Sequence, residues 1–286
     1  MLQTVLSGLE SGSWFALLGL AIVVVMKAAD VPNFAMAEIG LVATYVGTVL
    51  NAAGISFWPA VVVTLVIGTL LAIVIDLALM RKLAKHGHFP LLLMTIGLSL
   101  ALNALIGLIW GHEPRSFTAP WSGNHLDVGG LDVSWAQVVT IVVGALGAIG
   151  ITAFFRSPMG AQMRAVAENR ETARLIGVNA GRLSAIAWGL GGLIASTAVM
   201  LQAQSTLVST HSAASLIIYG FVAATMGGFV SLFGTFAGGL ALGIIQQVVG
   251  TYISTSAQFA VALLAVFLVL MLRPGGFTKG MRLRDV

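Results

Sequence analysis

The chain has 286 residues, 58% of them hydrophobic and 8% charged, with 14 Lys and Arg against 10 Asp and Glu for a net charge of +4, and no cysteine. An ordinary soluble protein is about a quarter charged, so this composition excludes a soluble globular fold, and the absent thiols exclude disulfides, Cys-ligated zinc and thiol catalysis. The basic excess does not argue for nucleic-acid binding, because basic residues gather where apolar runs end, as membrane topology alone requires.

Apolar stretches fall at 4–26, 31–50, 57–80, 90–110, 135–155, 183–205, 212–231, 234–253 and 256–272, each bounded by charge, Pro, Gly or Asn. From Leu183 to Leu272 there is no Asp, Glu, Lys or Arg at all. The runs are about 20 residues long and lack sustained period-two alternation, so they predict membrane-crossing helices and not barrel strands. The expected fold is an all-α polytopic bundle forming one membrane domain over 1–286, with about nine spans and a range of eight to ten. The first run has no basic residue before it and no small-x-small pattern after it, so it is expected to be a retained span and not a cleaved signal.

Lysine and arginine set the orientation, since they concentrate in cytoplasmic loops. With the N-terminus outside and nine crossings, Lys27, Arg81, Lys82, Lys85, the residues from Arg156 to Arg182 and those from Arg273 to Arg284 all fall inside. Arg115 is the exception, in a segment 111–134 that also holds Glu113, Asp127 and Asp132 and reads as an external loop. The stretch 212–253 is interrupted at Gly227-Gly228 and Gly234, so it is either two spans or broken half-helices lining a cavity. Gly234 with Gly238, and Gly239 with Gly243, form GxxxG pairs, read chiefly as internal helix packing.

Polar residues inside apolar runs are the functional candidates, because a carboxylate facing hydrocarbon costs several kcal/mol. Glu38 stands near the start of the second run, where an interfacial position paired with Lys27 or with the helix N-terminus is the simpler account. Asp76 precedes Arg81 and Lys82 by about a turn and is expected to be structural. Asn103, Gln202, Gln204, Gln246 and Gln247 can bond between helices or mark a polar path. The five histidines lie mainly at loops or span ends, and His86 with His88 is more simply a solvated loop than a metal site.

The longest polar stretch on the cytoplasmic side, 156–182, carries its own helix signal: Ala165, Ala167, Ala173 and Leu175 with Arg164, Glu168, Arg170, Glu171 and Arg174, then Gly177 as a stop. One helix over these residues places Glu168 with Thr172, and Arg170 with Arg174, at i,i+4 spacing. A charged helix hung beneath a bundle suits docking of a cytoplasmic partner.

Four segments carry a family resemblance: Asn33-Phe34-Ala35-Met36-Ala37-Glu38, Thr95-Ile96-Gly97-Leu98-Ser99, the stretch from Gly160 to Asn179, and Phe221-Val222-Ala223-Ala224-Thr225-Met226-Gly227-Gly228, with a weaker fifth at Arg273-Pro274-Gly275-Gly276-Phe277. Together they resemble the membrane permease subunits of bacterial ABC importers for branched-chain amino acids, across nearly the whole chain. The resemblance implies a multi-pass protein of the bacterial cytoplasmic membrane. Its partners would be two ATPase subunits, a second homologous permease, in a heterodimer by preference, and an extracytoplasmic substrate-binding protein. It also implies that Gly160, Arg164, Ala167, Glu168, Arg170 and Gly177 belong to the element that couples to the ATPase. Asn33, Glu38, Thr95, Asn103, Gly227 and Gly228 are the candidates for the translocation path. No cofactor is expected on this chain: GxxxxGK[ST] is absent, so ATP and Mg belong on the ATPase subunits. Where such permeases commonly read Asn-Phe-Ala-His-Gly-Glu, this chain has Met36 and Ala37, which bears on selectivity or on packing. A urea or short-chain amide permease of the same group is an alternative, and the residues alone also leave open a self-sufficient channel or secondary carrier. An intramembrane enzyme is disfavoured, because no HExxH, GxSxG or paired carboxylate motif occurs.

Overall fold

The computed structural model describes residues 1–29, 31–128, 131–175 and 177–272. The helices are α1 (Leu2–Ala29), α2 (Met36–Ala52), α3 (Phe57–Ile75), α4 (Arg81–Leu83), α5 (His88–Trp110), α6 (Trp135–Arg156), α7 (Pro158–Glu168), α8 (Arg170–Leu175), α9 (Ala180–Ser205), α10 (Thr210–Met226), α11 (Leu232–Tyr252) and α12 (Ala257–Leu272). A π-helical turn, Asp76–Met80, joins α3 to α4. Among the described residues, six helical stretches are long and apolar enough to cross a membrane: Leu2–Ala28, Phe57–Leu83, His88–Trp110, Trp135–Arg156, Ala180–Ser205 and Leu232–Tyr252. Three more apolar helices, Met36–Ala52, Thr210–Met226 and Ala257–Met271, are shorter. At 17 residues each, α2 and α10 rise about 25 Å, less than the roughly 30 Å of a hydrocarbon core.

The architecture is a polytopic helical bundle with one departure from all-α. Within the segment 111–134, β1 (His125–Val128) and β2 (Leu131–Ser134) pair antiparallel, His125 opposite Ser134 and Asp127 opposite Asp132. Four-residue strands inside a short polar loop give too little alternation to be read from sequence.

Buried helices form the centre of the bundle. In α1 and α9, 83% and 72% of the most apolar window is buried, against 17% in α5, so α1 and α9 form the core and α5 lies at the periphery. Small residues let α1 cross α11 closely: a Cβ on Gly243 would lie 2.3 Å from Gly12 N and from Gly8 O, and one on Gly239 would lie 2.5 Å from Ala16 Cα. The second GxxxG pair therefore packs inside the bundle. Gly68 of α3 and Gly192 of α9 make a second close crossing, in which a Cβ on Gly192 would meet Gly68 O at 2.3 Å.

The interruption in 212–253 is a reversal over 227–231 between two continuous helices, with Gly234 inside α11. Gly228 has φ +64° and Phe229 φ +56°, a left-handed pair that is costly for an aromatic residue. Gly227 is required by space, because a Cβ there would sit 2.3 Å from Thr235 Oγ1. Ser231 caps α11 by accepting from Gly234 N.

The two ends of the bundle differ in chemistry. At one end Lys27 Nζ lies 5.7 Å from the Phe155 ring centroid, Arg164 donates to Phe155 O, and Arg81 donates to Gly181 O. At the other end Gln3 donates to Asp132 O at 2.8 Å, while Arg115 and Val208 form a backbone bridge. The sequence Arg273 to Arg284, including the fifth resemblance segment, lies outside the described residues.

Candidate functional site

Two assemblies arise where the sequence places its candidates. The first is the segment between α6 and α9 at the basic end. Ser157 Oγ accepts from Gly160 N and Pro158 opens α7, both suited to a helix start. Gly160 sits so close to Phe155 that a Cβ would lie 2.4 Å from its Cα. Met163 and Val166 turn inward and are buried, whereas Arg164, Ala167 and Glu168 are exposed. The expected single helix is in fact two. Asn169 leaves helical geometry (φ −153°, ψ 104°), and its Oδ1 accepts from Thr172 N at 2.9 Å to cap α8. An Asn side chain competes with the helix backbone in this way, so Glu168 and Thr172 do not share one helix face. Arg170 opens α8, and Gly177 follows with φ +83°, the left-handed residue that lets the chain turn into α9.

The end of this segment is clamped to the bundle. Asp76, 1% exposed, accepts from Arg81 Nε at 3.0 Å through Oδ2 and from Ser184 Oγ at 2.8 Å through Oδ1. Arg81 also donates to Gly181 O. The π turn and the start of α9 are thereby tied together, an arrangement consistent with the structural role expected of Asp76.

The second assembly lies where α2, α5 and α10 meet. Asn33 Oδ1 accepts from Ala35 N at 2.8 Å, forming a turn just before α2. Glu38, in the first turn of α2 and 3% exposed, accepts from Ser99 Oγ of α5 at 2.7 Å. Lys27 is not its partner; the lysine lies against Phe155. Thr95, 2% exposed, is one turn before Ser99 and donates to Leu92 O. Asn103, one turn after Ser99, donates to Thr210 O at 2.7 Å and ties α5 to the start of α10. Residues 95, 99 and 103 thus make a polar stripe at i,i+4 spacing. Phe34 stacks on Phe221 (4.4 Å, 20°), and Phe221 meets Phe229 (6.1 Å) in the reversal beside Gly227 and Gly228. Three segments far apart in sequence therefore converge. Asn33 Nδ2 and Glu38 Oε2 are buried without a hydrogen-bond partner among the described residues. A carboxylate and an amide with spare bonding capacity, beside a stripe of hydroxyls, can pass or pause a polar solute.

Similarity to known proteins decides what this arrangement belongs to. Residues 4–272 match the family described as branched-chain amino acid transport system, permease component. The chain belongs to that permease family. The permease is 29% identical over 290 residues to the high-affinity branched-chain amino acid transport system permease protein LivH of Escherichia coli K12, covering 96% of this chain and 94% of that one. It is 27% identical to BraD, the corresponding permease of Pseudomonas aeruginosa, with the same coverage. The probable branched-chain amino acid transport permease LivH of Methanocaldococcus jannaschii is 24% identical over 92% of this chain and 87% of its own. Among solved structures, PsaBC from Streptococcus pneumoniae in complex with Fab has a TM-score of 0.51 at 18% identity, covering 96% of this chain and 91% of that one, a likeness of fold. The permease is a transport component of the cytoplasmic membrane and not an enzyme.

The structure also shows polar groups of the permease that sequence reasoning passed over. Glu10, inside α1 and 8% exposed, has Ser205 and Gln137 as its polar neighbours, and its Oε1 is buried without a hydrogen-bond partner among the described residues. Its signal was available, a lone carboxylate within an apolar run, but its partners lie on two distant helices. Met36 is fully buried, with its sulfur 3.5 Å from where a Cβ on Gly191 would stand, so the departure at this position fills space between α2 and α9.

Proposed function

We propose that this chain is the permease subunit of an ATP-driven importer, forming the path for branched-chain or closely related amino acids delivered by an external binding protein. The observation that carries the reading is the lever between α6 and α9. α7 buries Met163 and Val166 in the bundle and presents Ala167 and Glu168 outward, and the segment's far end is clamped through Asp76 and Arg81. A partner that grips the exposed tip can therefore move helices, the rigid-body transmission that alternating access needs. Gly160, Arg164 and Gly177 shape and anchor the lever, Arg170 opens its second helix, and Glu168 is its exposed contact. The ATPase subunits supply ATP and Mg, since this chain has no phosphate-binding loop.

The path runs along Asn33, Glu38, Thr95 and Asn103, and the Gly227-Gly228 reversal at the foot of α10 lets that helix re-aim. Nine crossings with the N-terminus outside account for the chemistry of the two ends, with Lys27, Arg81, Arg164 and Arg182 on the cytoplasmic side and the β-hairpin outside. α2, α10 and α12 then cross as short helices completed by their flanking turns. A second, homologous permease pairs with this one as a heterodimer, a reading supported by the exposure of α5, the helix that carries the polar stripe.

The test is to purify the tagged chain from its native membrane in mild detergent, identify what stays bound, and reconstitute the complex in liposomes with the binding protein. Co-purification of an ATPase and a second permease, with leucine uptake that needs ATP, supports the reading. Recovery of the chain alone, from a preparation that preserves other membrane complexes, together with solute flux that needs no ATP, identifies a channel or secondary carrier instead.

A further inference from the structure

The residue that breaks the charge rule sits in a cavity. Thr48, Asn51, Ala52, Arg115, Ser116 and Thr118 line a pocket of about 440 Å³ at the end of the bundle that carries the hairpin, within the size range of small-molecule sites. Its arginine is held firmly. Arg115 N donates to Val208 O at 2.9 Å, Arg115 O accepts from Val208 N at 2.8 Å, and the guanidinium reaches Trp110 O at 3.4 Å. The guanidinium carbon lies 5.9 Å from the ring centroid of Tyr45, a cation–π distance.

This arginine is electrostatically unanswered. Among the described residues Arg115 makes no ion pair, and none of the pocket's lining residues is acidic. Arg115 Nε is buried without a hydrogen-bond partner, and so is the hydroxyl of Tyr45, whose side chain is fully buried one turn before Thr48. A buried donor left unpaired costs about 1–3 kcal/mol, which an anionic acceptor removes. The remaining lining offers hydroxyls and an amide, suited to an ammonium group or to hydration water. A guanidinium fork beside hydroxyl groups is the arrangement that recognises carboxylate.

We propose that this pocket is an external subsite for the carboxylate of the amino-acid substrate, occupied between release from the binding protein and entry into the path. It rests on the importer reading above and adds a recognition step to it: the permease itself distinguishes an amino acid from its amide, which lacks the carboxylate. A carboxylate presented by the binding protein's own surface is the competing source, and the experiment separates the two.

Saturation-transfer NMR on the complete importer in nanodiscs, without binding protein, uses three probes: leucine, 4-methylpentanoate, which keeps the carboxylate but lacks the amine, and leucinamide, which lacks the carboxylate. Leucine and 4-methylpentanoate should bind and compete, leucinamide should not, and Arg115→Gln should weaken leucine binding at least tenfold while Arg115→Lys retains part of it. Ser116→Phe, which fills the cavity while the arginine stays in the chain, should abolish the signal in a protein that still assembles. Equal binding of leucinamide, or unchanged leucine binding in both Arg115→Gln and Ser116→Phe, overturns the proposal. It also falls if Arg115→Gln weakens docking of the binding protein and leaves free leucine binding intact. ATP-driven leucine uptake by the wild-type complex is measured in parallel: its absence refutes the importer, whereas its presence with no discrimination against leucinamide refutes only the subsite.

Discussion

Replacing Asp76 by Asn should loosen the clamp behind the proposed coupling segment, and the size of the effect follows from geometry. Asp76 Oδ2 stands 3.0 Å from Arg81 Nε, a gross attraction of about 5 kcal/mol at an effective dielectric near 20. Desolvation cancels much of it, and the Arg81 side chain is 32% exposed, so a net contribution of about 1–2 kcal/mol is expected after screening. The Asp76→Asn variant would keep the bond from Ser184 Oγ, whereas Asp76→Ala loses both and should cost about 1 kcal/mol more. The assay is equilibrium unfolding in mixed micelles for Asp76→Asn, Arg81→Gln and the double variant, with a coupling energy of about 1–2 kcal/mol expected. ATP-driven uptake should fall further than folded yield, because α9 is held less firmly where the lever joins it. A coupling energy below about 0.5 kcal/mol, with Arg81→Gln as mild as a change at exposed Lys82, would refute the clamp.

Three further outcomes are expected. Glu168→Arg should insert and fold normally yet lose ATP-dependent uptake, measured as transport per assembled complex; unchanged uptake removes Glu168 from the coupling contact. Glu38→Gln should retain insertion and the bond from Ser99 but slow transport, and Ser99→Ala should slow it less, whereas full activity in both assigns that pair to structure alone. Gly243→Leu must push backbone against backbone between α1 and α11, an overpacking that costs at least about 1–3 kcal/mol. Its folded yield by fluorescence-detected size exclusion should collapse, while Gly150→Leu, which faces open space in α6, should express like wild type.

The helical bundle was legible because lipid imposes a simple rule: apolar runs must satisfy their own backbone. The run 135–155 became α6 over Trp135–Arg156, and 4–26 became α1 over Leu2–Ala29. Departures occur where a side chain competes with the backbone or where chain geometry changes without a compositional signal. The second run begins at 31, but Asn33 folds back onto Ala35 N and delays α2 to Met36. Asn169 does the same between α6 and α9 and splits one expected helix into α7 and α8. The π turn at Asp76–Met80 leaves no trace in hydropathy, yet it lies where Asp76 meets both Arg81 and Ser184. Such single-turn irregularities recur at functional joints in other helices.

What the sequence could not supply is the partnership of residues far apart along the chain. Glu38 and Ser99 are separated by 61 positions, and Asp76 and Ser184 by 108, and no periodicity within one helix relates either pair. Their common physical cause is that a polar group in a bundle core must find another, because the surrounding hydrocarbon offers none. That rule turns each intramembrane polar residue into a question about its partner, and the answers sort the residues by role. Asp76 has both oxygens occupied and acts as a fastener. Glu38 has one oxygen bonded and one without a partner among the described residues, and Arg115 has a buried Nε in the same condition. On the proposed path, a group with spare capacity is one that would meet a moving solute. On the function and the subsite proposed above, the contrast between satisfied Asp76 and unsatisfied Glu38 and Arg115 separates the part of this permease that must hold from the parts that bind and release.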